Sequence, residues 1–333
     1  MLTELFTIKE NNISIIPVEF NEILRNPEGG YGGFILTDNS FDELIEYYKT
    51  SNKSEYTVFD LSNAIYADDR IFEKLNSMDC SRLVLSGVSD YTQISILNKI
   101  KSDLLNIEYK VLSNGCIVFG KVANHIGENL FLKDIYKHRN VEIVLSSTRK
   151  WGELREKNGS EWGYLVSSGV YSDRYIDIKQ MFSSHTDTAF IIYQLYNRIR
   201  EWGDSFDCIL ATSKTGVALA AILADIMNKE LLCLNIGQMF EEIYDQIPKI
   251  VPGKHYVHIF DMICLGTEVK VANAMVSGHG GYIDRSFGVV CLQDLKAVKK
   301  HNRFSFLNKV EPLISYKDLD INYNISLFNS KNE

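Results

Sequence analysis

The stretch YVHIFDMICLGTE, residues 256–268, decides the fold of this chain. It opens with mostly apolar residues, which is typical of a strand that is buried on both faces. It then runs through Asp261 to the small-residue pair Gly266 and Thr267, and residues 271–276 read as a helix. A helix that starts in such a loop presents backbone N–H groups that have no partner within the helix. The stretch therefore predicts the strand, loop and helix of a parallel α/β domain with an anion-binding loop.

A second stretch has the same design. The apolar residues 206–210 run into ATSKTG, residues 211–216, and a helix is predicted over residues 217–228. The turn supplies the candidate ligand-binding residues Ser213, Lys214, Thr215 and Gly216. Such a strand–turn–helix unit suits a phosphate group, although a turn with one glycine is also common in parallel sheets that bind no ligand.

Two further stretches complete the pattern. Residues 163–177, GYLVSSGVYSDRYID, alternate around a Ser–Gly turn and predict a hairpin that contains Ser168 and Arg174. After the helix at 271–276, a Gly–Gly turn leads into the apolar strand FGVVCL, residues 287–292. The second half of the chain therefore repeats strand, helix and strand, as in a doubly wound sheet.

In this order and spacing the four stretches resemble the type I phosphoribosyltransferases, most closely the pattern of orotate phosphoribosyltransferase. The resemblance implies an α/β domain with a parallel sheet flanked by helices and a hairpin that forms a hood over the site. It implies that Asp261 is the second acid of the phosphoribosyl pyrophosphate motif and meets the ribose hydroxyls. It assigns a catalytic role to Asp261 and ligand binding to Ser168, Arg174, Ser213, Lys214, Thr215, Gly216, Cys264, Leu265, Gly266 and Thr267.

The sequence departs from the family pattern at two places. Phe260 stands where the first acid of the ribose-binding pair is expected. Residues 235–247, which match the family's mobile basic loop, contain three acids and no basic residue, so they would repel pyrophosphate. We therefore expect a protein that binds a phosphoribosyl ligand or nucleotide, with altered or lost transferase activity and a regulatory or effector role. The alternative is an active phosphoribosyltransferase or nucleotide-cleaving enzyme. The resemblance also points to bacterial phage-defence proteins.

The first half of the chain predicts a smaller α/β unit after a short irregular start. Strands are predicted at 32–36, 56–61 and 81–87, helices at 40–49, 68–78 and 91–105, and a terminal hairpin within 111–120. The first strand, the first helix and the second strand read as a βαβ unit. Residues 58–75, VFDLSNAIYADDRIFEKL, resemble the STAS-like fold, which would place a partner-binding loop near Ser62. The alternative is that Asp60 and Ser62 simply turn the chain.

These patterns divide the chain into a domain at 1–125, a connector at 126–145 and a phosphoribosyltransferase-like domain at 146–333. Residues 129–140 show no clear apolar period. Residues 141–146 read as a strand of one domain or the other, and residues 149–158 as the opening helix of the second domain. We expect the N-terminal domain to offer a surface for a protein partner.

Composition limits the classes of function. The chain has 333 residues, 45% of them hydrophobic, and a formal net charge of −8. Nucleic acid and anionic membranes reward clustered Lys and Arg, so this charge argues against both as partners. The six cysteines form no CxxC pair and no segment approaches the ~18 apolar residues of a membrane span, which favours a reduced, cytoplasmic protein.

Metal and assembly are predicted as follows. His255 and His258 lie three residues apart on a strand, so strand alternation sends them to opposite faces and disfavours a metal pair. Mg²⁺ is expected only through the phosphates of a ligand. The resemblance implies a homodimer whose ligand is phosphoribosyl pyrophosphate or a nucleotide.

Overall fold

A computed structural model gives the fold of the protein. It describes residues 8–10, 13–17, 23–25, 31–36, 38–50, 56–61, 64–67, 70–77, 79–87, 109–112, 116–119, 132–150, 162–165, 170–203, 205–234, 249–292, 309–319 and 325–326. The chain divides into two compact units, Met1–Ile135 and Tyr136–Glu333. No helix of the described ranges is both long enough and apolar enough to cross a membrane.

The first unit contains two sheets and two described helices. The strands are β1 (Ile8–Glu10), β2 (Ile13–Pro17), β3 (Ile23–Arg25), β4 (Tyr31–Leu36), β5 (Tyr56–Asp60), β6 (Ala64–Ala67), β7 (Leu83–Ser86), β8 (Tyr109–Val111) and β9 (Ile117–Phe119), and the helices are α1 (Asp38–Thr50) and α2 (Arg70–Ser77). The larger sheet has the order β1-β2-β5-β7-β9-β8, and the smaller one has the order β3-β4-β6. Within the larger sheet β2, β5 and β7 are parallel.

Helix α1 forms because its apolar residues recur on one face. Phe41, Leu44 and Tyr48 follow the i, i+3, i+7 spacing, and all three are buried. The rings of Phe41 and Tyr48 contact Phe59 of β5, with centroid distances of 6.4 and 6.3 Å. The strands predicted at 32–36, 56–61 and 81–87, the helices at 40–49 and 68–78, and the hairpin of β8 and β9 are confirmed. The helix predicted at 91–105 lies outside the described residues.

The predicted βαβ unit of the first half is wrong. Strand β4 belongs to the smaller sheet, whereas β5 belongs to the larger sheet and pairs in parallel with β2. Residues 13–17 fall within the start that was predicted to be irregular; the run is short and ends at Pro17, which conceals the strand in the sequence. In the structure this run supplies the neighbour of β5.

The secondary structure predicted around residues 141–150 differs from the structure. Helix α3 spans Leu132–Ser146, where residues 141–146 were expected as a strand. Its buried residues Tyr136, Asn140, Ile143 and Val144 follow a helical period, but the polar Asn140 interrupts the apolar stripe and so conceals it in the sequence. Residues 149 and 150, expected as the start of a helix, belong to strand β10 (Thr148–Lys150).

Short antiparallel strands precede the parallel sheet of the second unit. Strands β11 (Gly163–Leu165) and β12 (Val170–Ser172) pair antiparallel, which confirms the predicted hairpin. Strand β13 (Arg174–Ile176) pairs antiparallel with β10, and a 3₁₀ helix follows at Ile178–Ser183. The turn of the hairpin, which contains Ser168, lies outside the described residues.

The core of the second unit is a parallel five-stranded sheet with helices. Its elements in chain order are α4 (His185–Trp202), β14 (Cys208–Ala211), α5 (Lys214–Met227), β15 (Glu230–Cys233), β16 (His255–Ile263), α6 (Thr267–Gly278), β17 (Tyr282–Cys291) and β18 (Val310–Ser315). The order of strands is β15-β14-β16-β17-β18, and every neighbouring pair is parallel. A last strand, β19 (Ile325–Ser326), pairs with β12. The predicted α/β class with a parallel sheet is confirmed.

The two central helices cover opposite faces of this sheet. Helix α5 leads from β14 outward to β15, whereas α6 leads from β16 to β17 in the other direction, and right-handed crossovers then place them on different faces. Cys208 and Leu210 of β14 pack in one buried cluster with Ala272 and Val276 of α6. The even-numbered residues at the ends of β14 and β16 therefore face α6, and the odd-numbered ones face α5.

Candidate functional site

The order of strands predicts a crevice at the carboxyl edge of the sheet. Strands β14 and β16 are neighbours, and the helices that follow them turn away in opposite directions. In open α/β sheets ligands bind beyond the carboxyl ends of the strands at such a switch point. The loops at residues 212–216 and 261–267, which sequence analysis selected, flank this crevice.

The loop after β14 ends in a capped helix start. Ser213 is the N-cap residue of α5, and its Oγ accepts a hydrogen bond from the backbone N–H of Gly216 at 2.9 Å. Lys214 is exposed and Thr215 is buried. A Cβ atom at Gly216 would lie 2.7 Å from Ser213 Oγ and 3.1 Å from the Ile259 carbonyl oxygen, so the close approach of this turn to β16 requires glycine.

The loop after β16 is shaped by Gly266. This residue has φ +77°, a left-handed conformation that favours glycine, and is the N-cap of α6. No side chain of the described residues caps the helix, so the N–H groups of its first turn are available to an anion. Cys264 is buried, Leu265 is half-buried and Thr267 is exposed at the start of the helix.

Asp261 connects the two loops. Ser213 Oγ donates a hydrogen bond to Asp261 Oδ1 at 3.0 Å, and the Met262 backbone N–H donates to the same oxygen at 2.8 Å. The carboxyl group is half-buried. Because Oδ1 has these partners, Oδ2 is the oxygen that can accept hydroxyl groups of a ligand.

Phe260 points away from the crevice into the core. It is 1% exposed and packs with Ile263, Val269 and Cys291. Its ring covers Gly288 of β17 so closely that a Cβ atom there would lie 2.2 Å from Phe260 Cδ2. The position where the family pattern has its first acid is therefore a packed apolar position in this protein.

Four polar residues to which the sequence patterns gave no role lie beside these loops. Thr212 Oγ1 donates to Glu268 Oε1 and is 2.8 Å from His258 Nε2, while His258 Nδ1 is 3.3 Å from Ser286 Oγ. Thr212 directly follows β14, His258 lies within β16 and Ser286 is its neighbour in β17. All three face α6, whose first turn supplies Glu268. The sequence signals were a lone histidine within an apolar strand and an acid directly after the Gly–Thr pair.

Burial shifts the pKa values of the two titratable residues in this group, Glu268 and His258. Desolvation raises the pKa of Glu268 to about 7; the hydrogen bond from Thr212 lowers it, and the negative charge of Asp261 adds to the increase. Desolvation lowers the pKa of His258 to about 4, so the ring is neutral at physiological pH. The site thus contains a carboxyl group that changes protonation near pH 7.

The hood strand β13 lies within electrostatic range of Asp261. Burial raises the pKa of Tyr175, and the charges of Asp177 and Asp261 raise it further. The adjacent Arg174 is half-buried, and its Nε is a buried donor that has no hydrogen-bond partner among the described residues. A donor in this state suits an anionic ligand. Ser168 and the acidic segment 235–247 lie outside the described residues.

The two strand histidines are separated. His258 is fully buried, whereas the His255 side chain is 45% exposed and bonds Asp284 through Nδ1 at 2.8 Å. The described residues contain no group of three or more His, Cys, Asp or Glu that could hold a metal ion.

An open cleft of about 730 Å³ lies at the other, amino edge of the sheet, lined by Trp202, Ser205, His255, Asp284, Arg285 and Lys309. The charged groups of this cleft are satisfied within the protein. His255 pairs with Asp284, Arg285 with Glu311 at 3.4 Å, and Lys309 Nζ donates to the Ile283 carbonyl oxygen at 3.0 Å. We therefore assign the candidate site to the carboxyl edge, where donors are left for a ligand.

Solved structures of phosphoribosyltransferases are similar to this chain. Orotate phosphoribosyltransferase from Aeropyrum pernix has 15% identity and a TM-score of 0.41, over 54% of this chain and 96% of that chain. Adenine phosphoribosyltransferase from Leishmania tarentolae has 15% identity and a TM-score of 0.37, over 44% and 78%. UMP synthase from Leishmania donovani has 13% identity and a TM-score of 0.39, over 89% and 58%. No family model and no curated protein matches the sequence. Similarities at this level assign neither an activity nor a ligand.

Proposed function

We propose that the second unit binds a phosphoribosyl ligand, either phosphoribosyl pyrophosphate or a nucleotide, in the crevice between β14 and β16. The observation that carries the proposal is the hydrogen bond from Ser213 to Asp261. It joins the start of α5 to the end of β16, so that two phosphate-compatible loops and one carboxylate face the same switch point.

Each part of the ligand has a partner in this arrangement. The N–H groups at the start of α6 suit a terminal phosphate, and those at the start of α5, with the exposed Lys214, suit a second phosphate. The Oδ2 atom of Asp261, which has no hydrogen-bond partner among the described residues, suits the ribose hydroxyls. Hydrogen bonds to a charged group contribute about 1.5–3 kcal/mol each, so Asp261 should account for a large share of ribose recognition.

The same geometry supports altered or lost transferase activity. Phosphoribosyl transfer develops positive charge on the ribose, and a second carboxylate would stabilise it, but Phe260 is buried in the core instead. The acidic composition of residues 235–247 disfavours stabilisation of leaving pyrophosphate. We therefore infer that ligand binding serves a regulatory or effector role.

Mg²⁺ fits this site only as a companion of the ligand. Among the described residues of the crevice the anionic oxygens come from Asp261, and Glu268 is bound to Thr212, so no cage of protein ligands is formed. Mg²⁺ retains several waters and commonly binds through substrate phosphates. When bound, the ion would neutralise phosphate charge, and the protein groups would position the ribose.

A second candidate function is an active phosphoribosyltransferase or nucleotide-cleaving enzyme. The observation that favours it is Glu268, because a carboxyl group whose pKa is about 7 is suited to general acid–base chemistry near neutral pH. A steady-state assay of pyrophosphate release or base release decides between the two: measurable turnover that Asp261→Asn abolishes supports the enzyme.

The wider role is proposed from the family resemblance alone. A degenerate phosphoribosyltransferase-type domain joined to a smaller N-terminal α/β unit suits an effector of bacterial phage defence. In that role it would act in the cytoplasm as a homodimer and bind a protein partner through its N-terminal, STAS-like unit. Analytical ultracentrifugation and the neighbouring genes test these assignments separately from ligand binding.

The proposal is tested by thermal shift and calorimetric titration of the full chain. The ligands are phosphoribosyl pyrophosphate, orotidine monophosphate, purine nucleotides and pyrophosphate, each with and without Mg²⁺. A saturable ligand raises stability by RT ln(1 + [L]/Kd), about 2.7 kcal/mol at a hundredfold excess over Kd. Saturable stabilisation by a phosphoribosyl ligand supports the proposal; no stabilisation by any of them contradicts it.

A further inference from the structure

The polar residues Thr212, His258, Ser286 and Glu268 form one continuous hydrogen-bond chain, here called the polar chain. It runs across three adjacent strands beneath α6 and ends at the first turn of that helix. Thr212 is 6% exposed, His258 is 0% exposed and Ser286 is 1% exposed, so water cannot substitute for a missing partner inside the chain. The donors and acceptors must therefore match along its whole length.

Two arrangements keep every bond of the chain when the exchanged proton lies on Oε1, the oxygen of Glu268 that contacts Thr212. When Glu268 is ionised, Thr212 donates to the carboxylate, His258 donates from Nε2 to Thr212, and Ser286 donates to Nδ1. When Glu268 is protonated, it donates to Thr212, Thr212 donates to Nε2, and His258 donates from Nδ1 to Ser286. A neutral imidazole has one donor and one acceptor nitrogen in both tautomers, so every bond of the chain survives the reversal.

We propose that Glu268 takes up one proton when the phosphate group of a ligand binds at the first turn of α6, and that the polar chain reverses direction to hold that proton. The inference rests on the proposed function, since the ligand site is the one assigned above. In the reversal the hydroxyl proton of Thr212 passes to Oε1 of Glu268, the Nε2 proton of His258 passes to Thr212, and the hydroxyl proton of Ser286 passes to Nδ1 of His258. One proton from solvent restores the Ser286 hydroxyl, so Thr212, His258 and Ser286 keep their number of protons.

Electrostatic repulsion explains why Glu268 takes up a proton when a phosphate group binds. The charged residue that acts on Glu268 among the described residues is Asp261 of β16, which is also negative. A phosphate at the helix start adds further negative charge beside a carboxylate that is already desolvated, and neutralising Glu268 removes that repulsion. The raised pKa of Glu268 keeps the cost of the proton small near pH 7.

The first test uses isothermal titration calorimetry to measure how many protons the protein takes up for each ligand that binds. Phosphoribosyl pyrophosphate with Mg²⁺ is titrated at pH 8 in two buffers of different ionisation enthalpy. The wild-type protein should take up close to one proton per ligand at pH 8 and much less at pH 6, where Glu268 is already protonated. Glu268→Gln, whose amide N–H donates to Thr212 as the protonated acid does, should take up about none. Glu201→Gln, an exposed change in α4, should behave as wild type.

The second test needs no ligand. In ¹⁵N spectra of histidine side chains, His258 should change from the Nε2–H tautomer at pH 8.5 to the Nδ1–H tautomer at pH 6. The Glu268→Gln protein should show the same His258 tautomer at both pH values, because its amide group does not titrate. A His258 tautomer that does not change with pH in the wild-type protein overturns the reversal.

The outcomes separate the two proposals. Binding without proton uptake overturns the inference and leaves the proposed function intact. Absence of binding by every phosphoribosyl ligand overturns the proposed function and, with it, ligand-linked uptake at Glu268. Equal proton uptake by wild-type protein and Glu268→Gln assigns the proton to another group and also overturns the inference.

Discussion

Phe260 and Gly288 fit each other at the centre of the sheet. They are direct neighbours in the β16–β17 register, and the phenyl ring occupies the space that a side chain at position 288 would need. This contact explains why an aromatic residue is tolerated at a position where the family pattern has an acid. The ring adds to the core rather than filling the ligand crevice.

The contact predicts that Gly288→Ala lowers the free energy of unfolding by about 2–3 kcal/mol, because overpacking forces a rigid ring and two strands apart. Urea denaturation measures the change. The matched control is Gly278→Ala at the end of α6, where an added Cβ meets no atom within 4 Å and the stability should change little. Phe260→Leu should recover part of the loss in the double variant; additive effects of the two changes would contradict the contact.

The stability of the protein should depend on pH through Glu268 and His258 in opposite directions. The pKa of Glu268 in the folded state is raised from 4.5 to about 7. The folded state therefore keeps the proton of Glu268 up to a higher pH than the unfolded state does, and stability is lost as pH rises from about 4.5 to 7. The folded pKa of His258 is lowered from 6.5 to about 4, so stability is lost as pH falls from about 6.5 to 4.

The substitution Glu268→Gln removes the pH dependence of stability that comes from Glu268 and leaves the pH dependence that comes from His258. Relative to wild type, the variant should therefore gain about 3 kcal/mol of stability between pH 4.5 and pH 8, since one pKa unit corresponds to 1.36 kcal/mol. Chemical denaturation at four pH values measures the difference. A difference that stays constant across this range would mean that Glu268 is not desolvated in the folded protein.

At the scale of elements, the site depends on two loops that one side chain holds together. Ser213 caps α5 and donates to Asp261, so it acts on the helix and on the crevice at once. The pattern of strand, small-residue loop and helix was enough to predict both loops from the sequence, because that pattern is local. The bond between them was not predictable, because it joins residues 48 positions apart.

Ser213→Ala should lower stability by about 1 kcal/mol through loss of the helix cap and should also weaken ligand binding, because Asp261 loses its donor. Ser184→Ala is the matched control: Ser184 caps α4 through the Asp187 backbone N–H and lies outside the two loops. It should lose similar stability and keep the ligand affinity. Equal affinity in both variants would show that the Ser213–Asp261 bond does not organise the site.

Elements without a local signal were missed. Helix α3 is concealed because Asn140 occupies a buried position of its stripe, with Oδ1 unpaired among the described residues. The role of Glu268 was missed because its partner Thr212 follows β14 and is 56 positions away, and Thr212 in turn contacts His258 of β16. Periodicity predicts which residues are buried, whereas a buried polar contact depends on which strands become neighbours.

At the scale of the whole molecule, the chain contains two compact units that meet in sequence near Ile135. The proposed site draws its residues from the second unit alone. We therefore expect the fragment 132–333, which retains all of α3, to unfold cooperatively and to bind the same ligand with the affinity of the full chain. Thermal unfolding and calorimetry of the fragment test this; a folded fragment without affinity would place part of the site in the first unit.

The central claim is that a phosphoribosyl ligand binds where β14 and β16 end, with Asp261 on its ribose. The most direct measurement is the Kd of that ligand for Asp261→Asn, beside Asp284→Asn at the amino edge as the control. Loss of one charge-assisted hydrogen bond of about 1.5–3 kcal/mol predicts a Kd for Asp261→Asn that is roughly ten- to hundredfold weaker, with Asp284→Asn unchanged. An unchanged Kd for Asp261→Asn, or a loss of affinity in Asp284→Asn instead, would contradict the assignment.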